Sequence, residues 1–310
     1  MIGKTILTRV VMITAAVAVA SLGIAALIGF AVGGFHPARF GGTGMAVDER
    51  KSLPLDGVAE IAITAVSEDI RIVEGTGDSV EAWYHGTVGT SRSDAVPRLV
   101  AERRGSTAEL RVERNRPMSI GFFWSDLSLE VKVPKGYAQK LSAKTVSGNI
   151  DVADHGYAGL ALSTTSGDMR IGAVSAAGFS AHTVSGELLA ASVASQASDI
   201  TSVSGDVDVK SITGDMTVHT TSGEVTLGFA ATPARFDGES TSGDIMIRLP
   251  RDAQFTLDAR STSGEVVCRF PITISESRKG GGSHVLSGAV GAGAGAVSVR
   301  TVSGEIRIEP

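Results

Sequence analysis

Residues 183–190 read Thr-Val-Ser-Gly-Glu-Leu-Leu-Ala, and variants of this phrase return through much of the 310-residue chain. The general form is Thr/Ser-x-Ser-Gly-acid-apolar-x-apolar. The central serines of its eight copies are Ser147, Ser166, Ser185, Ser204, Ser222, Ser242, Ser263 and Ser303. Successive serines are 19, 19, 19, 18, 20, 21 and 40 residues apart. A period near 20 residues is typical of stacked supersecondary units and not of one compact core.

Apolar residues alternate with polar ones on both sides of each Ser-Gly. With the serine as position 0, apolar side chains dominate positions −6, −4, +3 and +5, as Leu160, Leu162, Met169 and Ile171 do around Ser166. A period of two places these side chains on one face of an extended chain. Each repeat is therefore interpreted as two short strands joined at a Ser-Gly corner, where we expect glycine to supply a positive φ.

A second bend closes each coil. Thr213-Gly214-Asp215-Met216 repeats the corner chemistry nine residues before Ser222. Two bends per coil predict an all-β fold, a two-sheet β-solenoid (β-helix or β-roll) with coils of about 19–20 residues. The 40-residue step predicts a degenerate coil or an insertion between Phe270 and Val299.

The N-terminal region has a different character. Residues 10–35 carry no charge and follow Lys4 and Arg9. Such a run is long enough to span a bilayer, so we expect an uncleaved transmembrane signal anchor at 10–35 with a cytoplasmic tail at 1–9. A cleaved signal peptide is the alternative. We expect a linker at 36–56, a β-rich cap with irregular coils at 57–134 and regular repeats at 135–310. This organisation predicts a single-pass protein of a bacterial cytoplasmic membrane, with its N-terminus inside and most of the chain extracytoplasmic.

Composition limits the kinds of partner that the chain is expected to bind. The formal net charge of −5 argues against a nucleic-acid partner, because phosphate binding needs a basic surface. The single cysteine, Cys268, replaces a core Val or Ile at position +5, so we expect a buried apolar side chain and no intrachain disulfide.

A family resemblance rests on two adjacent segments. Leu129–Pro134 ends a strand-like run in proline, and Leu141–Ile150 then carries the first copy of the phrase. This order is similar to a bacterial family of unknown function, domain of unknown function 4097, whose members are often labelled "putative adhesin". The resemblance covers roughly residues 57–310 and implies a β-solenoid of the bacterial envelope without catalytic residues. Asn149 departs from the family pattern, which has an acid there.

The position after the corner glycine is nearly always acidic. Between Asn149 and Glu305, the acids are Asp168, Glu187, Asp206, Glu224, Asp244 and Glu265. Stacked in register, they would form a ladder that could bind a divalent cation or a basic partner. The alternative, which we favour, is turn chemistry, with side chains accepting N–H groups at the bend. We expect no metal and no cofactor. We likewise expect the hydroxyls at positions −2 and 0 to point inward and bond to the turn backbone.

The sequence contains one aromatic cluster and one pair of histidines that could form sites. Phe122, Phe123 and Trp124 form the densest aromatic cluster, and we interpret them either as a contact with a partner or membrane surface or as a core strand of the cap. His182 and His219 share position −3 but lie two coils apart, about 9.6 Å at strand spacing, which is too far to share a metal ion.

These features favour a non-enzymatic, membrane-anchored extracytoplasmic protein that is adhesin-like, a scaffold or associated with envelope stress. One alternative is a glycan-binding or glycan-active β-helix of the cell envelope, against which the lack of outward aromatic residues counts. Another is a self-assembling structural solenoid. The charged final coil, Glu305–Pro310, and the expected cap argue against polymerisation.

Overall fold

The computed structural model describes residues 44–90, 96–114, 123–278 and 283–310. Within these ranges every regular element is a β-strand, and no helix is long and apolar enough to cross a membrane. The predicted anchor at 10–35 lies outside the described residues. The chain divides into two compact units, and the larger consists of Ala46–Thr87, Pro97–Glu113 and Ser125–Pro310.

The strands are, in chain order, β1 (Met45–Pro54), β2 (Glu60–Thr64), β3 (Asp69–Gly75), β4 (Ser79–Thr90), β5 (Arg98–Arg104), β6 (Thr107–Glu113), β7 (Phe123–Pro134), β8 (Lys140–Lys144), β9 (Ile150–Val152), β10 (His155–Ser163), β11 (Met169–Ser185), β12 (Leu188–Ser204), β13 (Val207–Ser222), β14 (Val225–Phe229), β15 (Arg235–Ser242), β16 (Ile245–Arg248), β17 (Phe255–Ser261), β18 (Val266–Cys268), β19 (Ile272–Arg278), β20 (His284–Val290), β21 (Gly295–Thr301) and β22 (Ile306–Glu309).

Parallel pairing between coils builds two faces. The segments before each Ser-Gly corner pair with one another in what we call the pre-corner sheet, as Ala181 does with Ile200. The segments after each corner pair in the post-corner sheet, as Ile171 does with Ala190. Strands β11, β12 and β13 each run through the second bend and take part in both sheets. The predicted all-β solenoid is therefore confirmed.

The core lies between the two sheets and follows the alternation. Leu160, Leu162, Met169 and Ile171 are each at most 4% exposed, as expected for positions −6, −4, +3 and +5. One coil breaks the rule, because Ser198 occupies the inward position −6. No coil could bury these side chains alone, so stacking supplies the core.

The order of coils in space differs from their order in the chain at the C-terminal end. Strand β21 pairs with both β15 and β17, and β22 pairs with both β16 and β18. The last coil is thus inserted between two earlier ones. The predicted insertion is present, but it is an antiparallel hairpin, β19–β20, that pairs with β17 through β20. The charged final coil is not the end of the stack, so it gives no argument against polymerisation.

The N-terminal end shows the same kind of insertion. Strand β2 lies between β6 and β8, and β3 lies between β7 and β9. Residues 60–75, expected in the cap, therefore form a regular coil. Their weakened corner phrase, with Glu68 in the glycine position, explains the difference from the prediction.

Part of the predicted linker at 36–56 is also a strand. Strand β1 pairs with β4, although Val47 is its single buried hydrophobic side chain. The Glu49 carboxylate accepts a hydrogen bond of 2.9 Å from the Leu99 N–H, which joins β1 to β5. A polar sequence held by backbone pairing at a sheet edge lacks the apolar alternation by which strands are recognised.

Candidate functional site

The corner glycines form a column in which each lies against the backbone of the neighbouring coil. A Cβ atom at Gly167 would lie 2.0 Å from the Gly148 carbonyl oxygen, and one at Gly205 would lie 2.1 Å from that of Gly186. The column follows the spatial order of the coils, since Gly304 meets Gly243. Close approach is therefore the common reason for glycine. The expected positive φ occurs at only two corner glycines, Gly186 and Gly223.

At each end of the glycine column, a side chain forms hydrogen bonds with the corner backbone. Glu68 takes the glycine position at the N-terminal end and is fully buried. Its carboxylate accepts bonds from the N–H groups of Val66 at 3.0 Å and Ser67 at 2.9 Å. At the other end, the His284 ring bonds through Nδ1 to the Gly264 carbonyl oxygen. The terminal backbone groups of the corner thus have partners.

The hydroxyl side chains at positions −2 and 0 of the repeat form two columns that differ in burial. The residues at position −2 are buried: Thr145, Thr164, Thr183, Ser202, Thr220, Ser240, Ser261 and Thr301. Thr164 Oγ1 donates to the Gly148 carbonyl at 3.2 Å, and Ser261 Oγ donates to Gly304 at 3.0 Å. The hydroxyls of Thr183 and Ser240 have no hydrogen-bond partner within the described residues, so the expected bond to the turn backbone forms in only some coils. The expectation for position 0 was wrong, because those serines are exposed, apart from the half-buried Ser222. The chain turns at this serine, and the turn interrupts the strand alternation.

The acidic column provides hydrogen-bond acceptors between coils. Asp168 Oδ1 accepts from the Glu187 N–H at 3.1 Å, and Asp206 Oδ1 accepts from Glu224 at 2.8 Å. Asp244 accepts similarly from the N–H of Glu305. This is turn chemistry, but it reaches the next coil instead of the same bend. Among the described residues, no three potential metal-ligating side chains come together.

The aromatic candidates are described only in part. Phe122 and the side chain of Phe123 lie outside the described residues. Trp124 is 46% exposed. Its indole lies so close to Gly89 that a Cβ there would be 1.8 Å from Nε1. Trp124 thus packs against Gly89 of β4 and remains partly exposed.

The two histidines on the outer face of the pre-corner sheet have opposite electrostatic environments. A hydrogen bond to Glu239, with Nδ1 and Oε2 at 3.5 Å, raises the pKa of His219. Burial lowers the pKa of His182. Thr201 lies between them in register, so they do not share a ligand. Burial also raises the pKa of the half-buried Cys268 thiol, which disfavours the reactive thiolate.

One family model, that of Toastrack DUF4097, matches residues 58–309 of this chain. The matched span contains the repeated corner and the paired sheets. The chain belongs to the Toastrack DUF4097 family. The resemblance given by the sequence is thereby confirmed.

Three solved structures are similar to this Toastrack chain. A putative adhesin from Bacteroides fragilis is 9% identical with a TM-score of 0.49, covering 89% of this chain and 100% of its own. A putative lipid binding protein from Parabacteroides distasonis is 14% identical with a TM-score of 0.45, covering 88% and 99%. A putative adhesin from Parabacteroides merdae is 12% identical with a TM-score of 0.40, covering 86% and 97%. At these TM-scores the likeness carries no conclusion about function. No curated protein matches the chain.

One cluster in the Toastrack domain was missed from the sequence. Trp83 stacks on His85 with ring centroids 3.9 Å apart, and the Arg50 guanidinium lies 4.8 Å from the Trp83 centroid. Trp83 Nε1 donates to Asp48 at 2.7 Å. The alternation in β4 indicates that Trp83 points outward, but its partners on β1 could not be foreseen without that strand. The cluster anchors β1 to β4.

Proposed function

We propose that this Toastrack protein is a non-enzymatic interaction protein of the bacterial envelope, acting as an adhesin-like surface or a scaffold. The observation that supports this is that some positions of each coil contact neighbouring coils, whereas others face outward. The corner glycines, the Asp residues of the repeated phrase and inward hydroxyls such as those of Thr164 and Thr301 make contacts between coils. The outward positions of the two sheets vary from coil to coil, so the outer faces are the surfaces that can specify a partner.

The membrane anchor is part of this proposal. The uncharged run at 10–35, preceded by Lys4 and Arg9, supports a single-pass anchor with the N-terminus inside. The solenoid would then face the outside of the cytoplasmic membrane. We further propose Phe122, Phe123 and Trp124 as a contact with a partner or membrane surface, supported by the exposure of Trp124.

Topology can be tested on the full chain in bacterial cells. Protease added to spheroplasts should degrade the solenoid, and the chain should remain with the membrane after alkaline carbonate extraction. A variant lacking residues 10–35 should appear in the soluble fraction. Protection from protease in intact spheroplasts, with digestion only after lysis, would contradict the proposed orientation.

Interaction can be tested by cosedimentation of the detergent-solubilised full chain with purified cell-envelope material. Saturable binding is expected. Trp124→Ala should weaken this binding, and unchanged binding would contradict the proposed aromatic contact. The absence of saturable binding to any envelope fraction would contradict an adhesin-like function.

A further inference from the structure

A shallow groove of about 470 Å³ runs along the outer face of the post-corner sheet. It crosses β3, β9, β11, β12 and β13, which are consecutive neighbours in that sheet. Small residues line it, namely Ala153, Gly172 and Ala191. Because these side chains hardly rise above the backbone, an extended, flat ligand can approach the sheet closely.

Three cations line the same groove, two of them in one register row and the third two residues further along its strand. Arg71, Arg170 and Lys210 come from β3, β11 and β13, so one cation is supplied by every second strand. All three are exposed. At strand spacing, Arg71 and Arg170 are about 9.6 Å apart. Lys210 lies two residues beyond Asp208, the residue of β13 in register with them, so it is about 12 Å from Arg170 and about 20 Å from Arg71.

The two outer cations are available to a ligand. Arg170 contacts Asp168 at 3.1 Å and Asp151 at 3.8 Å, which partly neutralises it. Across the part of the chain that the structure describes, neither Arg71 nor Lys210 has a carboxylate within ion-pair distance. In a chain with a net charge of −5, such a groove favours an anionic ligand.

The distances between the cations can be compared with the charge spacing of different anionic polymers. Acidic side chains on one face of an extended peptide recur about every 6.7 Å, which does not match the cations. Duplex nucleic acid carries a charge about every 1.7 Å along its axis, which is far denser. A polysaccharide with one carboxylate in each disaccharide has its charges two sugar rings apart, close to two strand spacings.

We propose that this groove binds an acidic polysaccharide with one carboxylate per disaccharide, held by charge at Arg71, Arg170 and Lys210. No aromatic side chain lines this groove within the described part of the chain, which fits recognition by charge and not by stacking. The inference rests on the proposed function and names the class of partner for one outer face.

The test is calorimetric titration of the full chain in detergent at low ionic strength, with a hyaluronan hexasaccharide as the probe. Binding is expected, and it should weaken as salt rises. Arg71→Ala and Lys210→Ala should each reduce affinity by up to about fivefold, and the double variant by roughly tenfold or more. A hyaluronan disaccharide is too short to reach both Arg71 and Lys210, so it should bind more weakly than the hexasaccharide.

Arg235→Ala is the matched control, since it removes one exposed arginine from the pre-corner sheet. The affinity of this variant for the hexasaccharide should be unchanged. The proposal is overturned if the hexasaccharide does not bind, if a neutral hexasaccharide binds equally, or if Arg235→Ala loses as much affinity. Groove-dependent binding to anionic phospholipid vesicles without binding to the hexasaccharide would also overturn it, in favour of a lipid surface. If the chain does not bind the hexasaccharide but still cosediments with envelope material, the proposed function stands and this site alone fails.

Discussion

At the residue scale, the Ser-Gly-acid phrase works mainly between coils. Its glycine permits close backbone approach, its Asp carboxylate bonds to the next coil, and in some copies, such as that of Thr164, the inward hydroxyl bonds to the neighbouring corner. The sequence could identify these residue types but not their partners in neighbouring coils, which lie from 16 residues away, as for Thr164 and Gly148, to 61 residues away. The serine at position 0 takes no part in these contacts, and the buried hydroxyls of Thr183 and Ser240 have no hydrogen-bond partner within the described residues.

The glycine column makes a direct prediction about stability. In Gly205→Ala the new Cβ would lie 2.1 Å from a backbone oxygen that cannot rotate away, so the free energy of unfolding should fall by about 3 kcal/mol. Gly178→Ala is the matched control, because nothing lies within 4 Å of its Cβ position. That variant should be unchanged or more stable by up to about 1 kcal/mol. Denaturant unfolding measures both, and equal effects would refute the close-approach explanation.

Two buried serines on β12 give a second matched pair. Ser198 is 4% exposed, lies between Phe179 and Met216 in register, and its Oγ has no hydrogen-bond partner within the described chain. Ser198→Ala should therefore stabilise the protein by about 1 kcal/mol. Ser195 Oγ donates to the Ala197 carbonyl at 2.7 Å, so Ser195→Ala should destabilise it by a similar amount. Thermal unfolding distinguishes the two, and destabilisation by Ser198→Ala would show that its hydroxyl has a partner.

At the element scale, a polar row crosses the outer face of the pre-corner sheet. It includes His182, Thr201, His219, Glu239 and Arg300, one from each successive coil. Period-two alternation predicts that these residues face outward, but their pairing depends on which coils are neighbours. Glu239 lies between His219 on one side and Arg300, at 3.7 Å, on the other.

The two histidines should give stability opposite dependences on pH. The raised pKa of His219, caused by Glu239 and opposed by burial, means that the folded state holds the proton more tightly. Its contribution is full below the unfolded pKa and is lost as pH rises through the folded pKa. Burial lowers the pKa of His182, so its contribution is present at higher pH and is lost as pH falls. Unfolding of His219→Asn and His182→Asn between pH 5 and 8 should change the slope in opposite directions, and equal changes would contradict this assignment.

At the scale of the whole larger unit, the sequence predicts the repeat, the two sheets and the inward residues, because all three follow from local periodicity. It does not predict that β21–β22 is inserted between two earlier coils, nor that β2–β3 is inserted at the other end. Since every coil has the same alternation and corner, any coil edge fits any other, and local pattern cannot choose the neighbours. The candidate groove was missed for the same reason, as Arg71 and Lys210 are brought together only by the order of the coils.

The most direct test of this account is disulfide cross-linking between outward positions of the pre-corner sheet, in the full chain with Cys268→Ser. Glu239 pairs in register with Arg300, which in turn pairs with Arg260. Direct neighbours lie within disulfide reach, whereas residues two strands apart are separated by about 9.6 Å. Oxidation should therefore link Glu239→Cys to Arg300→Cys and leave Glu239→Cys with Arg260→Cys unlinked. The reverse result would mean that the coils stack in chain order, and would contradict the inserted terminal coil.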